Sequence, residues 1–164
     1  MDIKRIDHYS IRTTDVEASR RFYTEVIGLS VGPRPEFPFP GLWLYNGQPP
    51  ADLEHSAGNY GIVHVMGVDP NAPQGLVDTL GYVDPDTLKG STGALDHIAL
   101  SVTGRGSMVT RCRSANVAYF ERTVPNLGLH QMFLKDPNGV IIELNFPASE
   151  APKEKDAATT EAFR

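Results

Sequence analysis

The segment Leu95-Asp96-His97-Ile98-Ala99-Leu100 repeats the pattern of the earlier segment Ile6-Asp7-His8-Tyr9-Ser10-Ile11. Both alternate as strands do, and both carry histidine at the same place. In the first copy the strand spans Lys4 to Arg12 and Thr13-Thr14-Asp15 opens a helix, with Thr14 and Glu17 at capping-box spacing. Val16, Ser19, Phe22, Tyr23, Val26 and Ile27 trace one face of that helix, and Gly28 supplies its stop. Strands follow at Leu29–Gly32, Gly41–Asn46 and Gly61–Met66, with the proline-rich loop Pro33–Pro40 between the first two. Asp69-Pro70-Asn71 has turn chemistry. In the second copy the strand Leu95–Val102 leads to a short helix over Ser107–Ala115 and strands at Val117–Val124, Leu129–Lys135 and Val140–Phe146. The last two are joined by Asp136-Pro137-Asn138-Gly139, a turn with proline second and glycine fourth.

The chain is thus a degenerate repeat. The expected fold class is α+β, with paired βαβββ modules at residues 1–71 and 93–147. A connector spans 72–92, and a flexible tail rich in Ala, Glu, Lys and Thr spans 148–164. One helix per module covers one face of its sheet. Two bare faces side by side could curl into a shared half-barrel cleft.

Strand parity selects the side chains on those bare faces. Ile98, Leu100 and Val102 suit the helix side, which leaves His97, Ala99 and Ser101 opposite. Likewise Tyr9 and Ile11 take the helix side, while His8, Ser10 and Arg12 face the cleft. Ile142, Leu144 and Phe146 need burial, so Glu143 and Asn145 point into the cleft, and His64 stands on a strand otherwise made of Ile, Val and Met. A carboxylate or imidazole in such company is costly unless paired or metal-bound. Any one of these residues read alone fits a hydrogen-bonded core position. Together, His8, His97 and Glu143 at equivalent strand positions point to a divalent metal site, with His64 as a fourth candidate. Trp43, Tyr45, Gln131 and Phe133 are expected on the pocket wall, as aromatic lining or aromatic core, with Arg12 and Asn145 beside them. His55 lies in a polar loop and His130 has the parity of the helix side, so neither is expected at the site.

Composition narrows the function classes. The net charge of −5 leaves no electrostatic footprint for nucleic acid, and no apolar run approaches a membrane span. Cys112 is the only cysteine, which excludes an intrachain disulfide and makes a reducing cytoplasm the expected location. It reads as a small buried residue of the short second helix. Exposed sheet edges make a homodimer the expected assembly.

The motif around His97 and the run Phe133-Leu134-Lys135-Asp136-Pro137-Asn138-Gly139-Val140-Ile141-Ile142-Glu143-Leu144 resemble the vicinal oxygen chelate superfamily. This group includes glyoxalases, extradiol dioxygenases and bleomycin- and fosfomycin-resistance proteins, and the resemblance extends over residues 4–147. It implies one divalent metal ion per site (Fe, Mn, Ni, Co or Zn) on His8, His64, His97 and Glu143. It also implies a small substrate that chelates the metal through two neighbouring oxygens, with an enolate, semiquinone or oxyanion stabilised in the reaction. Glu143 is then both ligand and catalytic proton acceptor.

Lactoylglutathione lyases usually carry a carboxylate at the position of His64, and extradiol dioxygenases a tyrosine where Phe133 stands. Methylmalonyl-CoA epimerases have the most similar ligand layout, usually with glutamine near the position of His64. Leu42-Trp43-Leu44 resembles the fosfomycin-type thiol transferases. Three histidines and one glutamate leave two adjacent octahedral positions, which favours a lyase or isomerase over ring-cleaving oxygen insertion. A drug- or metabolite-binding protein without catalysis is the remaining alternative.

Overall fold

The computed structural model describes residues 6–69, 71–72, 74–80, 95, 97–124 and 127–152. The chain divides into two compact units, Met1–Ser91 and Thr92–Arg164. Lys4 and Arg5 of the first strand, Asp96, most of the connector and the tail beyond 152 lie outside the described residues.

In the first unit, β1 (Tyr9–Thr13) leads into α1 (Val16–Arg21), which widens into π-helical turns over Phe22–Ile27. β2 (Ser30–Gly32), β3 (Gly41–Tyr45) and β4 (Val63–Gly67) complete a sheet of order β1-β4-β3-β2. β4 pairs in parallel with β1 and antiparallel with β3. The helix is capped by Asp15, whose carboxylate accepts the Ala18 N–H at 2.8 Å, rather than by Thr14. The Thr13 hydroxyl takes the Asp15 N–H at 3.0 Å, which shifts the cap one residue along. Ser19, Phe22, Tyr23 and Val26 are buried, and Ile11, Val63 and Val65 are buried with them. Gly28 ends the helix at φ 92°, where the Gly28 N–H donates back to the Tyr23 carbonyl. Only glycine takes that left-handed conformation without strain.

Within the stretch read as a connector, a further helix forms, α2 (Gln74–Leu80). Glycine at its second position and Thr79 near its end give it weak intrinsic propensity. It is anchored instead by Leu76, which is buried in a cluster with Val68, Phe39 and Met66.

The second unit repeats the first. β5 (His97–Ser101), α3 (Arg105–Ser114), β6 (Tyr119–Val124), β7 (Leu129–Lys135) and β8 (Ile141–Pro147) form a sheet of order β5-β8-β7-β6. The element order and pairing match those of the first unit, as the repeated sequence requires. Ile142, Leu144 and Phe146 of β8 and Met132 and Leu134 of β7 are buried on one face. The register pairs Met132 with Leu144 and Leu134 with Ile142, so these residues meet across strands. Met108, Val109 and Cys112 are the buried residues of α3 beside Arg105. In the turn after β7, the buried Asp136 accepts the N–H groups of Asn138 and Val140, each at 2.8 Å, and Gly139 has φ 86°. Among the described residues, no helix is long and apolar enough to cross a membrane.

Candidate metal and substrate site

The site begins from strand parity, most completely in the second unit. His97 starts β5 and Glu143 lies in mid-β8, and both side chains emerge on the face opposite α3. His97 Nε2 stands 3.3 Å from Glu143 Oε2, with the carboxylate side chain 8% exposed and the imidazole 37% exposed. The other oxygen, Oε1, is saturated by the side-chain amides of Gln131 and Asn145, each donating at 2.8 Å. The second proton of the Gln131 amide goes to Asn145 Oδ1 at 2.9 Å. The carboxylate is therefore held by one oxygen and offers the other to the histidine.

That geometry fits a metal's donor set. Two donors bound cis to one ion at about 2.1 Å sit roughly 3 Å apart, near the spacing of this pair. Phe133 stands beside His97 on the same face, edge to face at 6.4 Å between ring centroids. Three of the residues expected on the pocket wall, Gln131, Phe133 and Asn145, thus join His97 and Glu143.

The first unit supplies a second pair in a different arrangement. His8 lies just ahead of β1 rather than within it, and its side chain is 36% exposed. Its Nδ1 is 2.9 Å from Asp7 Oδ2. His64 is the second residue of β4, where its Nε2 lies 2.8 Å from the Tyr60 carbonyl. A carbonyl only accepts, so Nε2 carries the proton and Nδ1 keeps its lone pair. Burial pushes the His64 imidazole below its ordinary pKa, against the Tyr60 hydrogen bond, and the His8 charge adds to the lowering. A neutral imidazole is the ligating form.

The rings of His8 and His64 are stacked at 3.8 Å, only 21° from parallel. A metal lies in the plane of each imidazole that binds it. Near-parallel planes at that separation meet far beyond a metal–nitrogen bond of about 2.0 Å. The two rings therefore cannot serve one ion as they lie. Among the described residues, no group of three or more His, Cys, Asp or Glu side chains is placed to hold a metal ion. Each unit on its own supplies a pair.

Trp43 covers the other side of His64, with rings stacked at 4.1 Å and 8° from parallel. Phe37 and Tyr60 flank Trp43 at 6.5 and 6.2 Å, so this face is aromatic, as expected for Trp43. Tyr45 is a correction. It is fully buried, and its hydroxyl donates to the Pro33 carbonyl at 2.7 Å. Its ring packs against Gly32 and has no face to offer a ligand. Arg12 is exposed on β1, two residues along from Ser10.

His55 is exposed and tied to Asp52, as a surface residue would be. His130 faces α3, where its Nε2 lies 3.1 Å from Glu121 and its Nδ1 3.0 Å from the Thr123 hydroxyl. Glu121 is gripped on the same side by Arg105 through two bonds of 2.7 Å. This network binds α3 to β6 and takes no part in the open face. Arg122 belongs to the open face but was not foreseen there. Its alternation with Phe120 on β6 was the available signal.

Two βαβββ units, the second with a histidine–carboxylate pair on its helix-free sheet face, define a glyoxalase-like fold. The model of the Glyoxalase/Bleomycin resistance protein/Dioxygenase superfamily matches residues 5–144, and the chain belongs to that superfamily. No curated protein sequence matches it significantly. Solved structures similar to it include a glyoxalase/bleomycin resistance protein/dioxygenase from Nocardioides, with TM-score 0.60, 15% identity, and coverage of 94% of this chain and 91% of that one. TnmS3, an antibiotic binding protein from Streptomyces sp. CB03234, gives TM-score 0.55 and 19% identity over 90% of this chain and 98% of that one. The fosfomycin resistance protein FosX from Listeria monocytogenes gives TM-score 0.56 and 14% identity over 88% and 94%. At these identities the likeness is one of fold.

Proposed function

We propose that the chain is a divalent-metal-dependent enzyme of glyoxalase type, acting as a lyase or isomerase on a small substrate with two neighbouring oxygens. The observation that carries this is Glu143, a buried carboxylate with one oxygen saturated by two amides and the other left beside His97. A carboxylate so placed is costly in an apo fold and suited to a cation. His8, His64, His97 and Glu143 are the proposed ligands, drawn either from one chain or from two copies in a homodimer. The metal would be Fe, Mn, Ni, Co or Zn, since imidazole and carboxylate donors suit all of these. When bound, it would act as a Lewis acid on a substrate carbonyl and make the neighbouring C–H more acidic.

The chain's own residues then divide the work. Glu143 would offer Oε2, the oxygen free of amide donors, to the ion and, when released from it, to the substrate proton. Gln131 and Asn145 fix the carboxylate so that it does not rotate out of line. Trp43 and Phe133 furnish apolar walls that limit water. Cys112 is buried as a thiol with no disulfide partner in the chain, consistent with a proposed cytoplasmic setting.

The ranking of reactions depends on His64. With His64 as a fourth ligand, an octahedral ion keeps two open positions, enough for a chelating substrate and too few for substrate plus O₂. Without it three positions open, and ring cleavage becomes the leading reading. Sequestration without turnover is the second reading, favoured by the fold shared with the antibiotic-binding TnmS3.

The test is a screen of metal-loaded protein against α-ketoaldehyde thiol adducts, acyl-CoA thioesters and catechols, with oxygen uptake followed alongside. Metal-dependent conversion without oxygen uptake is the expected result. Oxygen consumption with a catechol would transfer the assignment to a dioxygenase. Tight ligand binding with no turnover, with or without metal, would make the chain a binding protein.

A further inference from the structure

Three arginines illustrate two kinds of accommodation. Arg105 is clamped in a fork by the Glu121 carboxylate, and Arg20 is held the same way by Glu17. Arg34 lies 5.0 and 5.1 Å from the ring centres of Phe37 and Phe39 and donates to the Phe39 carbonyl. Arg122 resembles Arg34 in lying near a ring and bonding one carbonyl oxygen, but it is exposed on the open face. It stands on β6 directly across from Gln131 on β7, on the same open face as Glu143 and Asn145. Its Nε donates to Gln131 Oε1 at 2.6 Å, and its Cζ lies 5.0 Å from the centre of the Phe133 ring. Among the described residues no carboxylate pairs with it.

A guanidinium has five N–H donors, and Gln131 uses one. Its side chain is nonetheless fixed, by that bond at one edge and by the Phe133 ring beneath. What remains is the end-on fork of Nη1 and Nη2, the geometry that suits the two oxygens of a carboxylate, phosphate or phosphonate. Because the fork is already oriented, little side-chain entropy is lost when an anion arrives. Gln131 also prevents collapse. It bonds Arg122 through its oxygen and Glu143 through its nitrogen, so the cation and the carboxylate are kept apart by one amide instead of pairing.

We propose that Arg122 receives an anionic group of the substrate, a carboxylate or a phosphate-type oxyanion, on the open face of the second unit. This rests on reading that face as the substrate face, and it narrows the substrate to small acids. β6 and β8 are two strand spacings apart, roughly 10 Å. The substrate therefore carries its oxyanion at one end and its two chelating oxygens on the order of 10 Å or less away, near Glu143 and His97. The competing role for Arg122, merely positioning Gln131, leaves the fork without a ligand.

The test uses full-length metal-free protein, so that it holds whether or not a metal binds. Wild type, Arg122→Met and Arg122→Lys are titrated with inorganic phosphate and separately with acetate. Calorimetry and the Arg122 Nε–H signal in ¹⁵N–¹H spectra are the readouts. Saturable one-to-one binding of at least one anion is expected, with a shift of that signal. Arg122→Met should weaken it roughly 10- to 100-fold, the loss of a charge-assisted fork. Arg122→Lys should fall in between. Which anion binds identifies the class. The proposal is overturned if neither anion binds saturably, or if Arg122→Met binds as wild type does. It is overturned too if Arg122→Met leaves anion binding intact and instead weakens metal, because that is the signature of a positioning residue. Failure of metal binding in wild type bears on the proposed function alone.

Discussion

Replacing Glu143 by glutamine separates a carboxylate kept for a cation from one kept for the fold. In the fold the side chain is 8% exposed and Oε1 accepts two amide protons at 2.8 Å. A neutral amide oxygen can accept the same two protons, with each bond weakening from about 1.5–3 to about 0.5–1.5 kcal/mol. The loss is about 2–3 kcal/mol over the two bonds. Against it stands relief from burying a charge, several kcal/mol for an ion in a protein interior. Part of that relief is offset by His97, whose contact at 3.3 Å is long and half open to water. The net expectation for Glu143→Gln is between no change and about 2 kcal/mol of added stability. Urea unfolding with and without excess cobalt(II) measures it. Wild type should gain about 2.7 kcal/mol at a metal concentration 100 times Kd, and Glu143→Gln should gain nothing. A metal-free variant destabilised by more than about 2 kcal/mol, with the cobalt effect preserved, would refute the reasoning and make Glu143 a structural residue.

Other consequences follow from the same physics. Arg105→Met should leave Glu121 with only His130 in a mostly buried position, at a cost of about 3 kcal/mol in urea unfolding. Any cost below about 1 kcal/mol would mean that the network is ornamental. Burial pushes the Cys112 thiol up to about 11, so alkylating reagents at pH 8 should label it only after unfolding. Labelling of the native protein would contradict its packing. The His64 pKa is lowered in the fold, so the unfolded chain binds the proton more readily as pH falls through 6.5. Thermal stability should therefore drop between pH 7 and 5, and His64→Asn should flatten that dependence. Trp43, the only tryptophan, is stacked on His64 and should report the same titration in its fluorescence.

Much of the fold was legible because the repeat made two weak signals one strong one. The alternation around His97 and around Glu143 fixed both faces of the second sheet, and His97, Gln131, Phe133, Glu143 and Asn145 all fall on the side that parity assigns. Parity is local, so it could be read. The features missed depend on contacts between distant residues. Thr13, Thr14 and Asp15 are all cap-forming residues, and only the Thr13–Asp15 bond decides among them. α2 is held by Leu76 against Val68, not by its own propensities. Trp43 and Tyr45 have one parity, yet Tyr45 is closed in by Gly32 and Pro33 while Trp43 meets His64. Arg122 shares the parity of Phe120, but only the register of β6 on β7 sets it opposite Gln131.

The proposal that the chain holds a divalent ion through His97 and Glu143 is most directly tested by counting metal. Purified wild-type, His97→Ala and Glu143→Ala proteins would be dialysed against cobalt(II), freed of loosely bound ion, and measured by elemental analysis with visible absorption. One cobalt ion for each pair of modules is expected in wild type and none tightly bound in either variant. Full occupancy in the variants, or no metal in wild type, would contradict it.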